Sequence, residues 1–518
     1  MSTTITRRDP RFELARRTHN GRFPAPDQIV KQVEYCQDAQ DVAKTLQNVL
    51  DAGMRPTARS SGHCYEDFIV NNPNGAIIDI SQLSQVTTGA GGTGPYSVGP
   101  GAMLGSIYTQ LYRLANKTIP GGTCYTVTAG GHISGGGYGY LARRYGLTVD
   151  YVSAVDIITV DRNGRAVAIR ADKRNNSDLL RALRGGQGSN FGIITAFHFD
   201  DLPKCPQEVL RANLSWDWKD MSPDKFVNIL TTYGKYWEEN DRKKETWGMF
   251  AMLGLMSDPG RINLSLQFSD LDGTVKDTSV VNDFLDRFQK CKPTAEAPTG
   301  YNPHIEAMRP GSGGPREHLV GDTVCYGEHQ MVKQNWIDAN VGEQAGTGLI
   351  LDPLRRAKYK SCHMKKAFTE AEAMAFYNML SGPNAKGLIV AIDSYGGATN
   401  NPDRAQDTAI PQRSSVMKMQ YQTYWQDPKE DDYRLKGIRD TYTAAYSTPV
   451  ADQAHLGVPY PNDHYDGCYI NYPDVDMLQH DYWPQLYYGT GDLYPHLQAV
   501  KHKYDPHNIF HHAMSIQV

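Results

Sequence analysis

The 518-residue chain lacks most of the features that would assign it at a glance. No stretch approaches the roughly 20 consecutive apolar residues that a membrane-spanning helix needs. Neither sign of charge dominates: 53 Lys plus Arg stand against 57 Asp plus Glu, a net charge of −4. The chain therefore carries no basic footprint for nucleic acid or an anionic membrane. Its eight cysteines are scattered and form no CxxC pair, and they read as reduced thiols. The Arg7-Arg8 pair is followed by Asp9, Arg11, Glu13, Arg16 and Arg17, where an export signal would need an apolar region. The expected location is therefore the cytoplasm. Phenylalanine is scarce at 14 against 31 tyrosines, a bias towards aromatic surfaces that keep a hydroxyl, as polar organic ligands require.

At this length a single core is improbable, because cores stop growing at roughly 250–300 residues. Residues 26–200 alternate short strand-like and helical runs. Val42, Leu46, Val49 and Leu50 have helical spacing within Asp38–Ala52, and Ala76–Ile80, Tyr96–Val98 and Ala154–Val160 read as strands. A DRNG turn at Asp161–Gly164 predicts a hairpin returning through 166–170. After Pro203 the strand candidates lengthen: Leu210–Trp216, Trp247–Leu253, Ile262–Phe268, Gly387–Ile392 and Val416–Tyr424. Helical stretches at Ser222–Glu239 and Thr369–Leu380 lie between them, and 298–316 reads as a long irregular loop of the kind that often carries function. The expectation is an α+β protein with two domains.

Four segments carry the chemistry. ARSSGH, ending at His63, is a small glycine-containing turn that either cradles phosphate oxygens or is an ordinary surface turn. Between Gly121 and Gly139, eight of nineteen residues are glycine, interleaved with Val127, Ile133 and Tyr138. A flexible linker would not be punctuated by apolar residues, so backbone lying against a large planar or phosphorylated ligand is the better reading. A Cys124–His132 hydrolase pair remains an alternative there. ALRGGQGSNFGIIT, from Ala182, offers a second glycine-rich approach to the same ligand. In DGCYINYPDVD, Tyr469 and Tyr472 flank Asn471; either they are packed tyrosines of a strand, or one is a base whose pKa its neighbours lower. His507 and His511 have i, i+4 spacing beside His512, but no carboxylate or cysteine partner is near, so a packed or solvated cluster explains them better than a metal site.

Taken together, and in this order from about Arg22 to Val518, these segments resemble the berberine bridge enzyme-like flavoprotein oxidases of the vanillyl-alcohol oxidase/p-cresol methylhydroxylase superfamily. The resemblance implies that family's two-domain FAD-binding fold, with 1–203 binding FAD, 204–455 forming an α+β substrate domain and 456–518 returning with the Y-x-N-Y strand. It implies bicovalent FAD, joined to His63 through the flavin 8α-methyl and to Cys124 through C6. Arg59, Ser60, Ser61 and Gly62 would belong to the attachment loop, with Ser61 standing where the family usually has glycine. Gly122, Val127, Gly130, Gly131, Gly135 and Gly136 would approach the flavin, as would Gly188, Gly192 and Ile194 from the third segment, and Asn471 and Asn508 near the C-terminus. Tyr472, with Tyr469 beside it, would take a hydroxyl proton, and Tyr138 would favour its phenolate, while hydride passes to flavin N5 and O2 becomes H2O2. Tyr395, Tyr421, Tyr424 and Trp425 are expected to line the substrate pocket. The implied substrate is a sugar, glycoside or polyketide-type alcohol, with hexose or oligosaccharide oxidation to lactones as the alternative. A non-catalytic carbohydrate-binding module is the reading from a different class.

Overall fold

The structure is a computed structural model that describes residues 2–297, 322–326, 329–342, 355–405 and 407–518. The long loop expected at 298–316 lies outside the described residues. Three sheets organise the rest. A four-stranded sheet in the order β1-β2-β4-β3 contains Thr3–Thr6 (β1), Gln32–Tyr35 (β2), Pro56–Arg59 (β3) and Ala76–Asp79 (β4). β2, β3 and β4 run parallel, which requires crossovers. One crossover is the Ala39–Asp51 helix, whose Asp38 carboxylate accepts from the Asp41 N–H at 2.8 Å and caps it where the expected helix begins.

A five-stranded sheet follows, in the order β5-β6-β9-β7-β8: Val86–Thr87 (β5), Tyr96–Val98 (β6), Val152–Val160 (β7), Ala166–Asp172 (β8) and Ile193–Phe199 (β9). The expected hairpin is β7–β8, with Gly164 at φ +74 in its turn. The third sheet has nine strands among the described residues. Its chain order is Glu208–Asp217 (β10), Met249–Met256 (β11), Arg261–Phe268 (β12), Ala295–Ala297 (β13), Asp322–Tyr326 (β14), His329–Asn335 (β15), Arg356–Met364 (β16), Leu388–Ser394 (β17) and Met417–Trp425 (β18). The sheet ends in β11-β17-β18-β16, so β16 is an edge strand among the described residues. One face is covered by the helices Pro223–Asn240, Glu370–Leu380 and Asp431–Ala445, and the other turns towards the glycine-rich segments.

One expected strand is absent. The Cys468–Tyr472 segment is an irregular stretch, because Gly467 at φ +79 turns the chain before it and Pro473 follows it. Its N–H groups find partners outside any ladder. Tyr469 N–H donates to Ser361 Oγ at 3.0 Å, Cys468 N–H to the Leu486 carbonyl at 2.6 Å, and Tyr472 N–H to the Tyr469 carbonyl at 2.9 Å. No helix among the described residues is long and apolar enough to cross a membrane.

The C-terminal segment is tied down by a buried ion pair. Lys501 Nζ lies 2.6 Å from Asp505 Oδ2 and donates to the carbonyls of Asn190 and Phe510, and Asp505 accepts from the Ile509 and Phe510 N–H groups. Lys501→Met would leave the Asp505 charge buried without a partner. It is expected to lower unfolding free energy in urea by about 3–5 kcal/mol, whereas Lys503→Met, at an exposed position of the same helix, should change it by less than about 1 kcal/mol.

Candidate active site

A long cavity runs between the glycine-rich segments and the bare face of the third sheet. One end is lined by Phe510, His511 and His512, with the His512 ring stacked on Phe68 at 4.1 Å. Gly188 and Ser189 line the same cavity, and Gln187 and Ser189 hold left-handed backbone at φ +77 and +61. The Ala129–Ser134 helix, following the β-conformation of Thr128, brings Gly130 and Gly131 to the wall. A Cβ on Gly131 would meet nothing within 4 Å, so the bare backbone faces open cavity space there.

His63 and Cys124 converge on one hydroxyl. His63 Nε2 is 3.0 Å from Thr126 Oγ1 and Cys124 Sγ is 3.9 Å from the same oxygen. Burial holds the His63 imidazole well below its ordinary pKa, helped by His19, whose ring stacks on it at 3.6 Å. Burial therefore favours the neutral form of the ring. Burial raises the Cys124 thiol, and hydrogen bonds from Thr126 oppose that rise. Ser61 does not adopt the left-handed conformation that would strain it. That conformation falls on Gly62, at φ +80, and Ser61 Oγ accepts from the Thr128 hydroxyl at 3.0 Å.

Past these residues the cavity meets three tyrosines. Tyr138 OH donates to Asp393 Oδ2 at 2.6 Å and lies 2.9 Å from Tyr472 OH. Tyr469 OH accepts from the Gly137 N–H at 3.2 Å and from the Asn471 amide at 3.3 Å. Asn471 is itself anchored on the His132 carbonyl at 2.9 Å. Gly135 leaves room for Asn471, since a Cβ there would fall 2.1 Å from Asn471 Oδ1. Burial raises Tyr138 and Tyr472 well above the usual phenol value, while Tyr469 is pushed up only to about 12, because its two donors oppose desolvation.

Lys418 stands at the centre of this cluster. Its Nζ lies 3.1, 3.7 and 4.0 Å from the ring centroids of Tyr138, Tyr469 and Tyr472 and makes no hydrogen bond among the described residues. Burial depresses its pKa well below the lysine norm, and the Asp393 charge works against that. Met252, Asp393, Lys418 and His363 form one row across β11, β17, β18 and β16. Beyond this row, Gln420, Gln422, Tyr424 and Tyr359 line the cavity. Gln420 donates to Tyr65 OH at 2.7 Å, and Tyr424 OH donates to Gln422 Oε1 at 2.7 Å.

The structure brings His63, Cys124, Ser60, Ser61, Gly62, Gly122, Val127, Gly130, Gly131, Gly188, Gly192, Ile194, Tyr138, Tyr469, Asn471, Tyr472 and Tyr424 to the cavity wall. It places others elsewhere. Arg59 is a strut, 2.6 Å from Asp79 and donating to the Ala15 and Arg17 carbonyls. Gly135 and Gly136 receive Asn471 and Tyr469. Asn508 is an exposed turn residue at φ +49, and Phe510, His511 and His512 line the cavity in its place. Tyr421 faces the covering helices and bonds Tyr446 at 2.8 Å, because Tyr424 and Tyr421 are three residues apart on β18 and cannot share a face. Trp425 likewise donates to Asp431, at 2.6 Å, and Tyr395 sits behind Tyr138, edge-on at 6.2 Å. The C-terminal histidines disperse: His507 bonds the Arg162 carbonyl, His511 the Asn508 carbonyl, and His512 stacks on Phe68. Lys418, Gln420 and Gln422 were legible only through strand alternation starting from Tyr424, Asp393 only through its register opposite Lys418 on the neighbouring strand, and Tyr65 only through its place two residues after His63.

This donor set suits FAD. A buried imidazole and a thiol stand within 3.0 and 3.9 Å of one threonine hydroxyl on the cavity wall, and bare glycine backbone lines the same cavity, a surface that a large planar, phosphorylated ligand can lie against. Residues 30–170 match the FAD binding domain family, and residues 468–517 match the berberine and berberine-like family. The chain is 34% identical to aclacinomycin-N/aclacinomycin-A oxidase of Streptomyces galilaeus, over 99% of this chain and 89% of that protein. It is 30% identical to hexose oxidase of Chondrus crispus, over 98% of this chain and 93% of that protein. The crystal structure of aclacinomycin oxidoreductase superposes with a TM-score of 0.84 at 31% identity, covering 100% of this chain and 99% of that one. Its fold is the FAD-binding fold of the vanillyl-alcohol oxidase/p-cresol methylhydroxylase type. The chain thus belongs to the berberine bridge enzyme-like family of FAD-linked oxidases, enzymes acting on CH–OH donors.

Proposed function

We propose that this protein oxidises an alcohol or hemiacetal hydroxyl of a glycoside, sugar or polyketide-type natural product, with FAD held through both His63 and Cys124. Residues 1–203 and 456–518 serve the cofactor, and 204–455 present the substrate wall. The carrying observation is the chain of hydroxyls from Tyr472 through Tyr138 to the Asp393 carboxylate, which opens into the cavity beside the two attachment residues.

FAD, held by His63 and Cys124 along the glycine-lined wall, would supply a two-electron acceptor for the hydride of the carbinol carbon, with O2 as final acceptor and H2O2 as product. The residues supply the proton path. A substrate hydroxyl placed against Tyr472 gives its proton to Tyr472 Oη as Tyr472 passes its own to Tyr138 and Tyr138 passes one to Asp393. No free phenolate has to exist beforehand, which matters because burial holds both phenols above their usual pKa. Tyr472 is the better first acceptor. Tyr469 OH is occupied by the Gly137 and Asn471 donors, and no acceptor for its proton is seen among the described residues. Lys418 stabilises negative charge as it develops on the rings it touches. Gln420, Gln422, Tyr359 and Tyr424 offer amides and ring faces to a polyhydroxylated substrate with a flat portion.

The 30% identity with hexose oxidase supports a second reading, in which a reducing sugar is the substrate and a lactone the product. Peroxide release by the purified protein, on reducing mono- and oligosaccharides set beside glycosylated polyketides and glycopeptides, separates the two. Turnover confined to reducing mono- and oligosaccharides would favour the second reading and exclude a glycoside or polyketide substrate, and turnover confined to glycosylated polyketides or glycopeptides would exclude the second.

Two mutational outcomes follow. Tyr472→Phe and Asp393→Asn are each expected to slow anaerobic flavin reduction by about 10²–10⁴-fold, with little change in KM; rates equal to the parent would remove the relay. His63→Ala and Cys124→Ala singly should keep flavin on the protein through acid precipitation, whereas the double variant should release all of it to the supernatant.

A further inference from the structure

The chemistry above leaves unused a cluster of buried charges on the back of β16. Lys358 and Lys360 alternate with Tyr359, so they face away from the cavity that Tyr359 lines. Lys358 Nζ lies 2.6 Å from Glu66 Oε1 and 2.6 Å from Asp474 Oδ1. Lys360 Nζ lies 2.5 Å from Asp474 Oδ2 and 2.9 Å from Asp476 Oδ2, and Arg439 reaches Asp476 at 2.7 Å. Lys358, Glu66 and Asp474 are 1–2% exposed.

The acids come from the two segments that carry the site. Glu66 directly follows Tyr65, whose ring stacks on Tyr359 at 3.6 Å on the cavity side. Asp474 is two residues past Tyr472, which faces the same cavity. Each segment therefore holds β16 from both faces: Tyr65 stacks on Tyr359 in front with Glu66 behind, and Tyr469 meets β16 in front, its N–H on Ser361 Oγ at 3.0 Å and its ring edge-on to His363 at 6.1 Å, with Asp474 behind. The Val475 N–H, 3.4 Å from Glu66 Oε1, links the two segments to each other. A buried ionic network is weak evidence for stability, since apolar replacements are often as stable, and its best-attested use is to fix registry.

We propose that Glu66, Lys358, Lys360 and Asp474 are positioning residues, a clamp that seats the His63–Tyr65 loop and the Tyr469–Tyr472 segment on one strand. The clamp fixes the distance between the attached cofactor and the proton-accepting tyrosine. The inference rests on the roles of His63 and Tyr472 proposed above. Reaction rate falls steeply with small displacements of such groups, so the clamp acts on turnover through geometry and not through contact with substrate.

The test compares Glu66→Gln, Lys358→Met and Lys358→Arg as purified, flavin-loaded proteins. It reads anaerobic flavin reduction by a substrate from the peroxide screen, together with hydrogen–deuterium exchange over residues 60–68 and 468–476. Glu66→Gln and Lys358→Met are expected to slow reduction about tenfold or more with little change in KM. Both segments should exchange faster together, and Lys358→Arg should recover most of the rate. Glu66→Gln, which removes one contact and keeps the shape, carries the test if Lys358→Met does not fold. Parent-rate reduction in a folded variant would overturn the clamp, as would an exchange increase spread evenly over the chain or confined to one segment. If no alcohol reduces the parent, it is the proposed function that fails, and the paired exchange response still decides the clamp.

Discussion

A phenol buried away from water does not give up its proton unless another group takes one at the same time. That constraint shapes the centre of this molecule. Tyr138 and Tyr472 sit where desolvation opposes ionisation, and the Asp393 carboxylate stands as an acceptor at the end of their hydrogen-bond chain. Lys418 meets the same constraint from the other side. Its ammonium is disfavoured by burial but favoured by Asp393 and by any negative charge on the three rings around it.

The nine-stranded sheet makes such a cluster possible by holding its parts on different strands in fixed register. Asp393 pairs with Lys418 across β17 and β18, and Lys418 pairs with His363 on β16. The glycine-rich segments bring Tyr138 against this row, and the irregular Tyr469–Tyr472 stretch closes over it. That stretch is placed by side chains such as Ser361 and Asn471, not by a ladder. Rigid elements thus carry the charges, while the Tyr472 hydroxyl is carried by a segment seated on them.

Much of this was readable from the residues alone. Glycine density marked backbone that lines the cavity, and five of the nine described strands of the large sheet fall within a few residues of their expected positions, because hydrophobic alternation and turn residues dictate them locally, whereas β13–β16 were not foreseen. What escaped depended on which face of a strand a side chain takes. Tyr421 and Tyr424 were both expected at the pocket, yet the period of two puts them on opposite sides of β18 and brings Gln420 and Gln422 to the cavity beside Tyr424. Asn508 and Arg59 lie close in sequence to cavity residues but act as turn and strut, a distinction set by tertiary contacts. Ser61 shows the reverse: the strain a serine would suffer never arises, because the next residue, Gly62, absorbs the positive φ.

The alternation along β18 also separates two kinds of change. Positions 420, 422 and 424 look into the cavity, whereas Met419 and Tyr421 are sealed under the helices. Selection for a new substrate can therefore act on one set of alternate residues while the other keeps the sheet packed. A strand built this way lets an oxidase diversify its clientele without reopening the question of how it folds.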